Sequence, residues 1–218
     1  MTVTVITDTA PGISRWNYKF SAVWATVRDG LVGDGVQNSN FQIGVVGGYV
    51  LYRAFPVFDT SVIPIGAIIS AAKLQLYFTI INNTTATAIS VRILNGQPVY
   101  PHVPVVDNDW DRTLYAGNGG EHDYRLDGVG AYIDTPLSAA GISWINPGGT
   151  TKLCLQNVEH DIANVAPGGG DVTWVGFSVA AGFEPKLEIT WTAGGGAARE
   201  PALKRPLFQT PCKVRALG

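Results

Sequence analysis

The stretch AKLQLYFTI, residues 72–80, alternates without a break: Ala72, Leu74, Leu76, Phe78 and Ile80 are interleaved with Lys73, Gln75, Tyr77 and Thr79. Successive side chains of an extended backbone point to opposite faces, so a period of two makes a strand with one row on a core and the other on solvent. The alternation returns in TAISVRIL, residues 87–94, with Ile89, Val91 and Ile93 inward. It returns again in KLCLQN, residues 152–157, with Leu153 and Leu155 inward, and in KLEITW, residues 186–191, with Leu187, Ile189 and Trp191 inward. YVLYRAFPVFD, residues 49–59, is apolar on both faces, as a central strand covered on each side would be. There Arg53 needs a partner, and Pro56 implies a bulge or an unpaired segment. AVWATVR, residues 22–28, and FQIGVV, residues 41–46, are two further strand candidates, and Asn82-Asn83-Thr84-Thr85 predicts a hairpin turn. Helical signal is confined to DTPLSAAGISWI, residues 134–145, with Asp134 or Thr135 as cap and Pro136 in the first turn. Strands separated by Gly, Pro and Asn, without helices between them, predict an all-β antiparallel sandwich of the jelly-roll type.

Composition agrees. The chain has 218 residues, 46% hydrophobic and 15% charged, with net charge -2. That is enough apolar mass to order a core and too little charge for long solvent-facing helices. Its two cysteines cannot staple a chain of this size; Cys154 lies in an apolar run and Cys212 near the C-terminus. No run approaches the roughly 18 apolar residues of a membrane span, and the N-terminal MTVTVITDTAPG lacks the features of a secretory leader.

The composition changes at Gly194-Gly195-Gly196. Beyond it Arg199, Lys204, Arg205, Lys213 and Arg215 stand against Glu200 alone, so the tail holds +4 and residues 1–193 hold -6. We therefore expect a β-sandwich domain over residues 1–193 and a non-globular arm over 194–218. Cations alternating with apolar residues suit docking on an acidic protein partner; the docking candidates are Leu203, Lys204, Arg205, Leu207, Phe208, Lys213 and Arg215. Plain disorder and nucleic-acid binding are the competing readings, the latter disfavoured by the acidic body.

YRAFPVFDTSVIPIGAIISAAKLQLYF, residues 52–78, resembles the opening of the DNRLRE family and related carbohydrate-binding-type jelly rolls, in which a strand ending in Phe-Asp leads through a turn to an Ala-x-Leu-x-Leu strand. DNDWDRTLY, residues 107–115, looks like the Trp-centred loop of such domains, and VGFSVAAGFEPKLEITW, residues 175–191, like their closing strand pair. The resemblance implies a jelly-roll module over roughly residues 17–192. Family members are modules of secreted, multidomain surface proteins or polysaccharide-active enzymes, so it supports architecture more than sugar specificity.

Chemical candidates gather in the long excursion of residues 95–131. Asp107, Asp109 and Asp111 are carboxylates at alternate positions and suit a structural calcium, although Arg112 and Asn118 break the EF-hand pattern; a solvated acidic loop balanced by Arg112 and Arg125 is the alternative. No other cofactor is expected. Trp110, Tyr115, Tyr124 and Tyr132 form a candidate glycan platform, against which stands the reading that Trp110 plugs the end of the sandwich. No G-x-S-x-G or H-E-x-x-H motif occurs, and His102, His122 and His160 are far apart, so no enzyme is expected. The resulting expectation is a structural or adhesive subunit on the surface of a larger particle, of virion or phage type, whose partners are other protein subunits. A stand-alone glycan-binding module is the alternative, and a polysaccharide hydrolase is the third reading.

Overall fold

The computed structural model describes residues 1–8, 15–37, 39–85 and 88–194. Within them the chain forms fourteen strands: β1 Thr2–Thr7, β2 Arg15–Phe20, β3 Gly35–Gln37, β4 Phe41–Val46, β5 Val50–Phe55, β6 Val57–Asp59, β7 Ile68–Asn83, β8 Ser90–Leu94, β9 Glu121–Asp123, β10 Ala131–Pro136, β11 Thr150–Lys152, β12 Cys154–Asn157, β13 Thr173–Phe177 and β14 Lys186–Thr192. Two short helices, α1 Trp24–Asp29 and α2 Ala139–Ser143, interrupt them. All pairings are antiparallel, and the main path runs β1-β14-β7-β13-β4-β5-β12-β8-β9. Leu74 and Leu76 of β7 share one buried cluster with Ile93 of β8 and Leu155 of β12, strands far along that path, so the sheet curls over its own core. The fold is the all-β antiparallel sandwich that the alternation demands. The C-terminal arm lies outside the described residues.

β7 organises the sheet, pairing with β14 over residues 68–75, with β10 over 73–78 and with β13 over 78–83. Ala72, Leu74, Leu76 and Phe78 are buried as their alternation predicts, but Ile80 is 44% exposed. The register with β13 shifts between Gly176 and Phe177, which face Ile80 and Phe78. The extra residue, Thr79, reverses the side-chain parity, so Ile81 packs against the core in place of Ile80. Ile89, Val91, Ile93, Leu153, Leu155, Leu187 and Ile189 are buried as expected, and Trp191 is partly buried.

Three local expectations are corrected. Residues 82–85 do not make a hairpin, because β13 occupies the end of β7 while β8 pairs with β12 and β9 in the other part of the sheet. AVWATVR is a helical turn and not a strand. Val27 packs there with Val45, Leu51 and Trp110, and the carbonyls of Val27 and Arg28 at the helix end are free to accept bonds from elsewhere. In residues 134–145 the helix begins only at Ala139, capped by Ser138, because Asp134 and Thr135 are held in β10 beside β7. At Pro56 the chain leaves the main sheet: β5 ends, and β6 pairs with β11.

Leu76 is fully buried in the largest cluster. Leu76→Ala is expected to lower unfolding free energy by about 2–5 kcal/mol in urea titration, the range for a buried leucine whose site cannot collapse. Loss near zero would place Leu76 outside the core.

Candidate functional site

The loop of residues 100–114 is built around a buried cation. Arg53, on central strand β5 and fully buried, cannot stay ionised there without partners. Asp161, also fully buried, meets it with two bonds: Nε to Oδ2 and Nη2 to Oδ1, each 2.7 Å. Nη2 also donates to the Arg28 carbonyl at 2.8 Å and Nη1 to the Trp110 carbonyl. The guanidinium carbon lies 4.1 Å from the Trp110 ring centroid, and the indole N–H donates to the Val27 carbonyl at 3.0 Å. Arg28 Nε donates to the Asp161 carbonyl at 2.6 Å. One guanidinium thereby ties β5 to the end of α1, to the loop holding Trp110 and to the π-helical turn Val158–Ile162.

Around this hub the three alternate carboxylates separate. Asp109 is fully buried and closes its own loop: Oδ1 accepts from the His102 amide at 2.9 Å and Oδ2 from the Val106 amide at 2.8 Å. Asp111 accepts from Thr113, backbone N–H at 2.9 Å and hydroxyl at 2.7 Å. Asp107 exposes its side chain and uses its carbonyl to receive the Gly33 amide and the Asn17 side-chain amide. Among the described residues no three His, Cys, Asp or Glu side chains gather as a metal-binding group. The carboxylates of Asp109 and Asp111 brace the loop, while that of Asp107 faces solvent.

Nor do the four rings form a platform. Trp110 is enclosed with Val27, Val45 and Leu51, which is the plug reading of that residue. Tyr115 packs on Phe55, with ring centroids 5.6 Å apart, and burial pushes its phenol far up. Tyr124 sits in the main core against Phe78 and Phe177, its hydroxyl 2.9 Å from that of Thr135. Only Tyr132 reaches the surface, and there Lys186 Nζ lies over its ring at 3.9 Å. Large rings offer most by burial, and three of the four are used so.

The docking candidates Leu203, Lys204, Arg205, Leu207, Phe208, Lys213 and Arg215 lie outside the described residues, as does Cys212. The histidines each serve a separate local partner: His102 Nδ1 is 2.8 Å from Asp109 Oδ1, His122 Nε2 is 2.6 Å from Asp127 Oδ2, and His160 Nδ1–H donates to the Val165 carbonyl at 2.9 Å. Burial pushes the Cys154 thiol far above its ordinary range, so it is poorly suited to act as a nucleophile.

Among the clefts formed by the described residues, two bear on function. The first, about 510 Å³, is lined by Leu31, Val32, Tyr100, His102, Asn108, Asp111 and Leu114. Its walls are two loops joined where Gly33 and Asn17 bond the Asp107 carbonyl. From these loops Leu31, Val32, Val99, Val103 and Val106 stand exposed. The His102–Asp109 pairing in it has a sequence correlate only in its seven-residue spacing. The second cleft, about 350 Å³, is lined by Asn95, Gln97, Pro98, Ser143, Trp144, Ile145, Asn146 and Thr150, without one charged side chain. Gly119 makes room for the Trp144 ring, since a Cβ there would lie 2.2 Å from it.

No protein-family model matches the chain, and no curated protein matches it.

Arg53→Met is expected to cost about 3–5 kcal/mol in chemical denaturation, because it strands the Asp161 carboxylate in the interior. The double variant Arg53→Met, Asp161→Leu should recover part of that loss. Equal losses in single and double variants would show that the pairing of the two charges is not what matters. Cys154 should resist alkylation in native protein and react fully in denaturant, read by peptide mass spectrometry; native labelling at Cys154 would contradict its burial.

Proposed function

We propose that this protein is a non-enzymatic structural or adhesive subunit of a larger assembly, of the virion or phage-particle kind, that docks on neighbouring protein subunits. The observation that carries the reading is the pair of loops walling the larger cleft. They are tied to β5 by the Arg53 hub, yet leave five large apolar side chains exposed. Ordering apolar groups in solvent has no stabilising return in a lone chain, whereas at an interface their burial contributes directly. The ionisable groups support the same reading, since the aspartates and histidines of this region brace loops. In this proposal the basic, apolar arm beyond Gly194 anchors the subunit, its +4 set against the -6 of residues 1–193.

A glycan-binding role is the second reading. The uncharged cleft favours it, because amides, hydroxyls and an indole side by side suit a neutral ligand with hydroxyls and C–H faces. It moves the candidate away from Trp110, Tyr115 and Tyr124 to Trp144.

The deciding measurement is the mass of the native species, with the chain truncated after Gly194 as comparison. The assembly reading expects a particle far above 23.2 kDa from the full chain and a folded but unincorporated truncated form. A native monomer that loses glycan binding on Trp144→Ala would replace it with the second reading.

A further inference from the structure

Sheet edges are ready templates for pairing, and natural proteins usually blunt them by shortness, charge or proline. The other free edges here are blunted. β9 is Glu-His-Asp and three residues long, β3 has three residues, β11 has three and carries Lys152, and β10 carries Asp134 and Pro136. β1 has none of these devices. Its six residues, TVTVIT, are uncharged and free of glycine and proline, and all are β-branched. It pairs with β14 along its whole length and ends the strand order. β6 meets it just past its C-terminal end, at the isolated Asp8–Phe58 bridge, and among the described residues no strand pairs with residues 2–6 on the side away from β14. Val3 and Val5 stand 59% and 51% exposed on its outward row.

We propose that β1 is a self-association edge, at which a second copy of this chain adds its own β1 antiparallel across a two-fold axis. The inference rests on the assembly reading and names one of its contacts. The occupant follows from the sequence of the strand. An antiparallel two-fold pairing that keeps each row on its own face must oppose residues of equal parity. Centred on Thr4, it sets Val3 against Val5 twice on the outward row and Thr2 against Ile6 on the inward row. Both exposed valines are then covered by valines, the kind of cross-strand pair that stabilises sheets. A register centred on Val5 instead would oppose Thr2 to Asp8.

The test uses the full chain in a Cys212→Ser background, with Cys154 buried. Val3→Cys and Val5→Cys are made separately, mixed in equal amounts and mildly oxidised. The mixture should give a disulfide-linked dimer and neither variant alone should, because residue 3 faces residue 5 and not itself. Cross-linking of either variant with itself, or none in the mixture, overturns the proposal. Val3→Lys, Val5→Lys should keep the wild-type circular dichroism and melting, since both positions are exposed, while losing the dimer by native mass spectrometry. An undiminished dimer overturns the proposal. If the native particle persists in that variant and the cross-link fails, the edge inference falls while the assembly reading stands; if the cross-link forms but the native species is only a dimer, the larger-assembly reading falls instead.

Discussion

The buried guanidinium of Arg53 is the constraint around which this molecule is arranged. A charge in the interior must be matched or the fold fails, and here the match is spread over three segments: the Asp161 carboxylate, the Arg28 carbonyl, and the Trp110 carbonyl and ring. None of these partners is near Arg53 in sequence; Asp161 is 108 residues away. Replacing such a cluster with apolar groups often leaves stability unchanged. It joins α1, the loop of residues 100–114 and the π-helical turn to β5.

That placement explains how an irregular stretch rich in Pro, Gly and Asp becomes ordered. Asp109, Asp111 and Asp123 each accept backbone amides of their own or adjoining turns. The excursion is also stitched to the end of β8 by the Asn95–Ala116 bridge and by Gly120 accepting from Ile93. Loops fixed this firmly can hold apolar side chains in water in a set geometry, which is what a docking surface requires and a flexible loop cannot supply. The surface ion pairs, such as Lys73 with Asp134 and Glu188, are solvent-screened and have little part in this; they keep the outward row of β7 polar.

The two ends of the strand path are treated differently. β9 is short and charged, whereas β1 is uncharged and β-branched throughout. In the proposed assembly, the loops around the larger cleft and the β1 edge would be two separate docking surfaces. Val3, Val5, Leu31 and Val32 stand exposed and belong to none of the buried clusters.

The fold class was legible in the sequence because burial of one face imposes a period of two on the residues, and that period survives in β7, β8, β12 and β14. It misled where one added residue changed parity, at Thr79, and in residues 22–28, which form a helical turn; the turn cluster at 82–85 made no hairpin, and β7 holds Asp134 and Thr135 in a strand. The need of Arg53 for a partner was equally legible, since an ionised side chain in an apolar run is a local contradiction. The identity of that partner was not. Which carboxylate meets Arg53, and whether Trp110, Tyr115 and Tyr124 face solvent or core, depends on contacts across scores of residues, and no spacing along the chain records them. Three aspartates at alternate positions look alike in sequence, and only the tertiary structure sends one into the interior, one onto the next turn and one into water.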